Sequence, residues 1–153
     1  MAFKHNYKVF WSLFSLVVVI SLLSLWNYWQ SHQSTLTVKV NDQVIKVELA
    51  NQPSDWYQGL SNRAKLCADC GLLFNFPDKQ IREFVMRQMK FPLDIIFIND
   101  QQIIKIAANL PPEDEQAQII YSSEQLANQV LEVNANYCQR HGIKVGDIIS
   151  IIK

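Results

Sequence analysis

Residues 10–29 read FWSLFSLVVVISLLSLWNYW, 20 positions without a charge, relieved only by serines and one asparagine. Wound into a helix, such a run is about 30 Å long, the thickness of a bilayer's hydrocarbon layer. No polar stripe runs along it, as one would on a helix laid against a soluble core. Trp11 stands near one end and Trp26, Tyr28 and Trp29 at the other, the positions of membrane-interface aromatics. Lys4 and Lys8 precede the run, and no Lys, Arg, Asp or Glu follows it until Lys39. The positive-inside bias then keeps the N-terminus in the cytoplasm. The run exceeds the apolar core of a usual signal peptide, no A-x-A site follows it, and no cysteine follows it closely enough for lipidation.

These features predict a single-pass signal anchor in the inner (cytoplasmic) membrane. Residues 1–9 would be cytoplasmic, residues 10–29 transmembrane, residues 30–34 (QSHQS) a polar linker, and residues 35–153 a periplasmic or otherwise extracytoplasmic domain. The exported part carries 12 Lys+Arg (14 minus Lys4 and Lys8) and all 14 Asp+Glu, a net charge of −2. That balance gives no basic footprint for nucleic acid.

Alternation of apolar and polar residues predicts strands over 36–40 and 44–49, joined by a turn at Asn41-Asp42. A helix is expected over 53–66, opened by Pro53 and Ser54, with Gly59 as its weak point. Short strands follow over 72–76, ending at Pro77-Asp78, and over 84–89. Residues 93–98 (LDIIFI) are apolar on both faces except for Asp94 and read as a central strand, with a hairpin turn at Asn99-Asp100. Residues 109–126 read as a long loop, with a short helix over 123–128. A strand over 129–133, a short helix capped by Asn134 and closed by Gly142, a turn at Gly146-Asp147 and a last strand complete the chain. The sum is an α+β domain, mainly antiparallel β and half-barrel-like, behind one N-terminal transmembrane helix.

No H-E-x-x-H, G-x-S-x-G or G-x-G-x-x-G motif occurs, and His141 is the one histidine of the exported part. No catalytic residue, cofactor or metal is therefore assigned. Among the charged residues Asp94 stands out, because a carboxylate inside an apolar strand needs hydrogen bonds or a cation. Arg63 and Arg87 are the expected partners, either in a structural ion pair or in a polar pocket. Glu132 is expected to face solvent, opposite Leu131 and Val133. Met86 and Met89 read as core rather than as soft-metal ligands.

Cys67 and Cys70 form a C-x-x-C, and Cys138 with His141 could supply a second half-site for zinc. Outside the cytoplasm a disulfide clip is the leading reading for Cys67 and Cys70. Free thiols, a redox switch and a metal site are the alternatives. A thioredoxin-type arrangement does not fit, because this pair follows a helix and leads into a strand.

The blocks GLSNRAKL, CGLLFNFP, FVMRQMKFPLDIIFIND, VLEVNA and GIKVGDII, in this order and spacing, resemble domain of unknown function family 192. The resemblance spans roughly residues 38–152. The matching positions are Gly59, Leu60, Arg63, Gly71, Phe74, Phe84, Met86, Pro92, Leu93, Asp94, Leu131, Glu132, Gly146 and Asp147. Val85 stands where the pattern has Trp, Arg87 where it has Lys, Gln88-Met89 where it has Asn-Thr, and Asn136 where it has Gly. The resemblance implies a compact β-rich domain, often exported or membrane-anchored, with no established activity.

The functional expectation is a binding or accessory module of the cell envelope, held to the membrane through residues 10–29. Its ligand would be small and polar, or its partner an envelope protein, with Arg63, Arg87, Asp94 and Glu132 lining or supporting the site. One alternative is an envelope hydrolase using Asp94 and Glu132 as paired carboxylates. Another is a structural partner of a second membrane protein.

Overall fold

The computed structural model describes residues 7–31, 36–114 and 119–152. Two compact units result, Met1–Ser34 and Thr35–Lys153. In the first, α1 (Tyr7–Ser31) is a 25-residue helix, of which the side chains of Trp11 and residues 13–24 are described. Among the described residues no helix is long and apolar enough to cross a membrane; in α1 they amount to 13 positions, against the roughly 20 that a span requires. The flanking aromatics Trp26, Tyr28 and Trp29, Lys4 and Lys8, and all of the linker at 30–34 lie outside the described side chains.

The second unit is one seven-stranded sheet with two short helices. Its strands are β1 (Leu36–Val40), β2 (Gln43–Ala50), β3 (Cys70–Phe84), β4 (Leu93–Asn99), β5 (Gln102–Leu110), β6 (Tyr121–Asn134) and β7 (Ile149–Ile152), in the order β5-β4-β6-β3-β2-β1-β7. Every neighbouring pair is antiparallel except β2 with β3. The sheet curls until its edge strands meet. Gln102 bridges Ile148, the Ile103 amide donates to the Asp147 carbonyl at 2.9 Å, and the Ile149 amide donates to the Gln101 carbonyl at 2.7 Å.

Side-chain alternation sorts the apolar residues into two cores. Val38, Val40, Ile45, Val47, Leu73, Ile96, Ile98, Leu131, Val133 and Ile149 fill the concave side of the sheet. Leu72, Phe74, Ile95, Phe97 and Val130 face the other way and pack beneath Leu60, Met86 and Met89. As expected, β4 is interior, and its first six residues are buried.

Several elements differ from the sequence reading. The helix α2 (Pro53–Gln58) stops eight residues short of Leu66, because Gly59 turns to φ +50°. The strand expected over 72–76 continues as β3 through Pro77 to Phe84, whereas residues 85–89, where a second strand was expected, form no strand beyond a single bridge at Arg87. Proline is tolerated there because pairing with β6 skips from Asn75–Gln129 to Gln80–Ala127, a bulge with no ladder amide to lose. The expected loop and helix at 109–128 are largely strand, since β6 begins at Tyr121; residues 115–118 lie outside the described part. The helix α3 (Tyr137–His141) is capped by Asn136 in the left-handed region rather than by Asn134, and Gly142 closes it as expected.

Candidate functional site

A row of four side chains crosses the outer face of the sheet. Glu48 on β2 pairs with Leu72 on β3, Leu72 with Glu132 on β6, and Glu132 with Ile95 on β4. Two carboxyls thus flank one leucine. Arg63, placed over them by the turn after α2, clasps Glu48 with Nη1–Oε1 and Nη2–Oε2 both at 2.7 Å. Glu132 does not face solvent, as the alternation suggested. It is 5% exposed, and its Oε2 has no hydrogen-bond partner. The row shows why. Glu132 does sit opposite Leu131 and Val133, but the face it occupies is itself covered by residues 59–63 and 85–91.

Gly59 sits in that cover and is required there by its φ of +50°, not by space. A Cβ at Gly59 would lie 3.9 Å from Glu132 Oε2 and 3.5 Å from the Phe74 ring. Burial pushes the Glu132 carboxyl up to about 8, opposed by the positive charge of Arg63. Near neutral pH the group is therefore mostly a carboxylic acid, able both to donate and to accept a hydrogen bond.

Glu132 lies at the floor of an open cleft of about 400 Å³ between α2, β3 and residues 85–89. Its wall is aromatic. Trp56 and Phe76 rings lie 4.9 Å apart, Phe74 and Phe84 meet edge to face at 5.0 Å, and Arg82 covers Phe76 at 3.9 Å. Arg87 also lines the cleft. Its guanidinium lies 4.4 Å over the Tyr57 ring, Nη1 donates to the Tyr57 hydroxyl at 3.1 Å, and Nε is buried without a partner.

Of the four expected ligand-binding residues, Arg87 and Glu132 line this cleft, and Arg63 stands next to it behind Glu132. Asp94 does not join them. It pairs with Val133 and so faces the concave core, where its carboxylate accepts the amides of Asn109 at 2.8 Å, Asn136 at 3.0 Å and Cys138 at 2.9 Å. The cation expected for Asp94 is replaced by these three backbone donors, which tie the end of β5 and the start of α3 to β4. Asp94 and Glu132 lie on opposite faces of the sheet, so they form no carboxylate pair.

Cys67 and Cys70 are joined in a disulfide. The loop is pinned by Asn134 Nδ2, which donates to the Cys67 carbonyl at 2.8 Å. Cys138 is buried, and its amide donates to Asp94. Met86 and Met89 are buried in the outer core, as expected.

Trp56, Tyr57, Phe76 and Arg82 were not singled out from sequence. Phe74 and Phe76, two residues apart on one strand, were the available signal for an aromatic face, but the break assigned at Pro77 separated them from Arg82 and Phe84.

The family model DUF192, described as "Uncharacterized ACR", matches residues 36–151 of this chain and decides membership. The chain belongs to the DUF192 family. Of the DUF192 pattern positions, Gly59, Leu60, Phe74, Phe84 and Glu132 line the cleft, and so do three departures from it, Val85, Arg87 and Met89. No curated protein matches the chain. Solved structures similar to it include the following two. One is a Sinorhizobium meliloti 1021 protein described as a candidate transcription regulator, with 30% identity and a TM-score of 0.72 over 78% of this chain and 95% of that one. The other is a protein of unknown function from Novosphingobium aromaticivorans DSM 12444, with 32% identity and a TM-score of 0.69 over 76% of this chain and 83% of that one.

Proposed function

We propose that this DUF192 member is a single-pass, membrane-anchored binding module whose β-rich domain works in the cell envelope, outside the cytoplasm. The anchor reading rests on the uncharged run at 10–29 and the two lysines ahead of it. The Cys67–Cys70 disulfide supports an oxidising compartment. The binding reading rests on one observation above the others. A nearly buried carboxyl, Glu132, offers an unsatisfied oxygen at the floor of an open, aromatic-walled cleft. Buried polar atoms are nearly always partnered in native proteins, and a ligand is one source of the missing partner. The paired-carboxylate hydrolase has no geometric basis, because Asp94 and Glu132 lie on opposite faces.

Two measurements test the proposal. Alkaline extraction of membranes should leave the chain in the pellet, and protease added to intact spheroplasts should remove the domain. Release by alkali, or full protection, overturns the location. A saturation-transfer NMR screen of small polar aromatic fragments should give hits that Glu132→Ala abolishes. A screen without such hits overturns the cleft as a binding site.

A further inference from the structure

We propose that the cleft takes an amphipathic monocarboxylic acid, with a flat apolar body on the aromatic wall, its carboxylate on Arg87, and a neutral hydroxyl or amide on Glu132. The proposal rests on the binding reading above and names the class of ligand.

The two ends of the cleft differ in what they lack. Arg63 and Arg82 are each neutralised by a carboxylate, Glu48 and Asp78 respectively. Arg87 takes part in no ion pair among the described residues. Its Nη atoms reach only the hydroxyl and carbonyl of Tyr57, at 3.1 and 3.4 Å, and its Nε lacks a partner. Arg87 is thus a cation held by stacking on Tyr57 and left without an anion, the condition in which a guanidinium takes a ligand carboxylate.

At the other end, Glu132 Oε2 lacks a partner. Of the charged groups around Glu132, Arg63 stands behind it, while Arg82, Glu83 and Arg87 line the same cleft. A ligand ammonium would share the cleft with the unpaired cation of Arg87, and a second carboxylate would lose its hydration against a nearly buried carboxyl. A neutral group that both donates and accepts meets neither objection. Between the two ends, Trp56, Phe74, Phe76 and Phe84 present apolar ring surface, and about 400 Å³ suits a body of one or two rings.

The test uses the full chain in lipid nanodiscs with ¹³C-methyl methionine. The sequence holds three methionines, and Met89 lines the cleft. The probes are 4-hydroxyphenylacetate, phenylacetate and tyramine. The acid with the hydroxyl should shift the Met89 methyl saturably and bind more tightly than phenylacetate. Arg87→Gln should weaken it about tenfold, as loss of a charge-assisted hydrogen bond does, while Arg87→Lys, which keeps the charge but not the stacking or the fork, should recover only part of the affinity. Raising the pH from about 6.5 to about 9.5 should weaken the acid as Glu132 ionises, and Glu132→Gln should abolish that dependence. An unchanged Met86 signal in the ligand-free variants serves as the check that they fold. Binding of tyramine in place of the acids, or affinity indifferent to Arg87→Gln, overturns the ligand class and keeps the cleft as a site. No Met89 shift with any probe overturns both.

Discussion

Arg63 and Glu48 are locked fork to fork, with two N–O distances of 2.7 Å, directly beside the buried carboxyl of Glu132. Both partners reach solvent, with side chains 36% and 33% exposed, so the pair itself contributes at most about 1 kcal/mol. Its larger effect is on Glu132, whose ionisation the arginine charge favours against burial. Arg63→Gln should raise the Glu132 pKa further, measured by ¹³C NMR of the labelled carboxyl. An unaltered titration would show that the charge does not reach it.

Glu132 should also set how stability varies with pH. Its folded pKa, about 8, is above the ordinary glutamate value of 4.5, so the folded chain binds a proton that the unfolded chain has lost. The favourable contribution is complete below about 4.5, shrinks as pH rises through that window, and is gone above about 8. The loss across the window is on the order of 5 kcal/mol. Glu132→Gln should flatten the profile, so that the variant gains on the natural chain as pH rises. Urea unfolding at a series of pH values reads this directly; parallel profiles would contradict it.

Asp94 predicts the opposite pattern, a large effect on stability with none on the cleft. Asp94→Asn sets an amide against three backbone donors in a fully buried position. The expected loss is about 2–4 kcal/mol, seen as a lower urea midpoint. Probe binding at the cleft should be unchanged in the variant while it is folded.

The disulfide should matter little to stability. It closes a loop with a sequence separation of 3, for which chain entropy predicts about 2 kcal/mol at most. The Cys67→Ser/Cys70→Ser double variant should therefore fold. Cys138 is buried, and burial together with neighbouring Asp94 pushes its thiol up, away from the reactive thiolate. Maleimide should label no thiol in the folded chain and two after mild reduction. Labelling without reduction would refute the clip.

Much of the domain was legible because its signals are local. The β1–β2 alternation, the apolar run of β4 and the Gly142 stop all act within a few residues. The rest depended on partners distant in sequence. Pro77 reads as a stop until a bulge opposite Ala127 removes the need for its amide. Ser123 was expected to open a short helix, but it is a buried strand residue that accepts the Arg82 amide at 2.9 Å and donates to the Gln125 carbonyl at 2.6 Å. Asp94 was rightly marked as needing partners, and the wrong ones were named because backbone amides carry no letter in a sequence. For Glu132 the face was inferred correctly. Its burial was not, since the cover comes from segments 41 to 73 positions earlier.

The first strand of the domain is zipped to its last, Thr37 opposite Ile152 and Val40 opposite Ile149. The pairing joins segments more than 100 positions apart. Until residues 149–152 have left the exit tunnel, β1 has an empty flank. A nascent chain of this design therefore keeps that flank open to foreign strands until β7 has been made and can take its place.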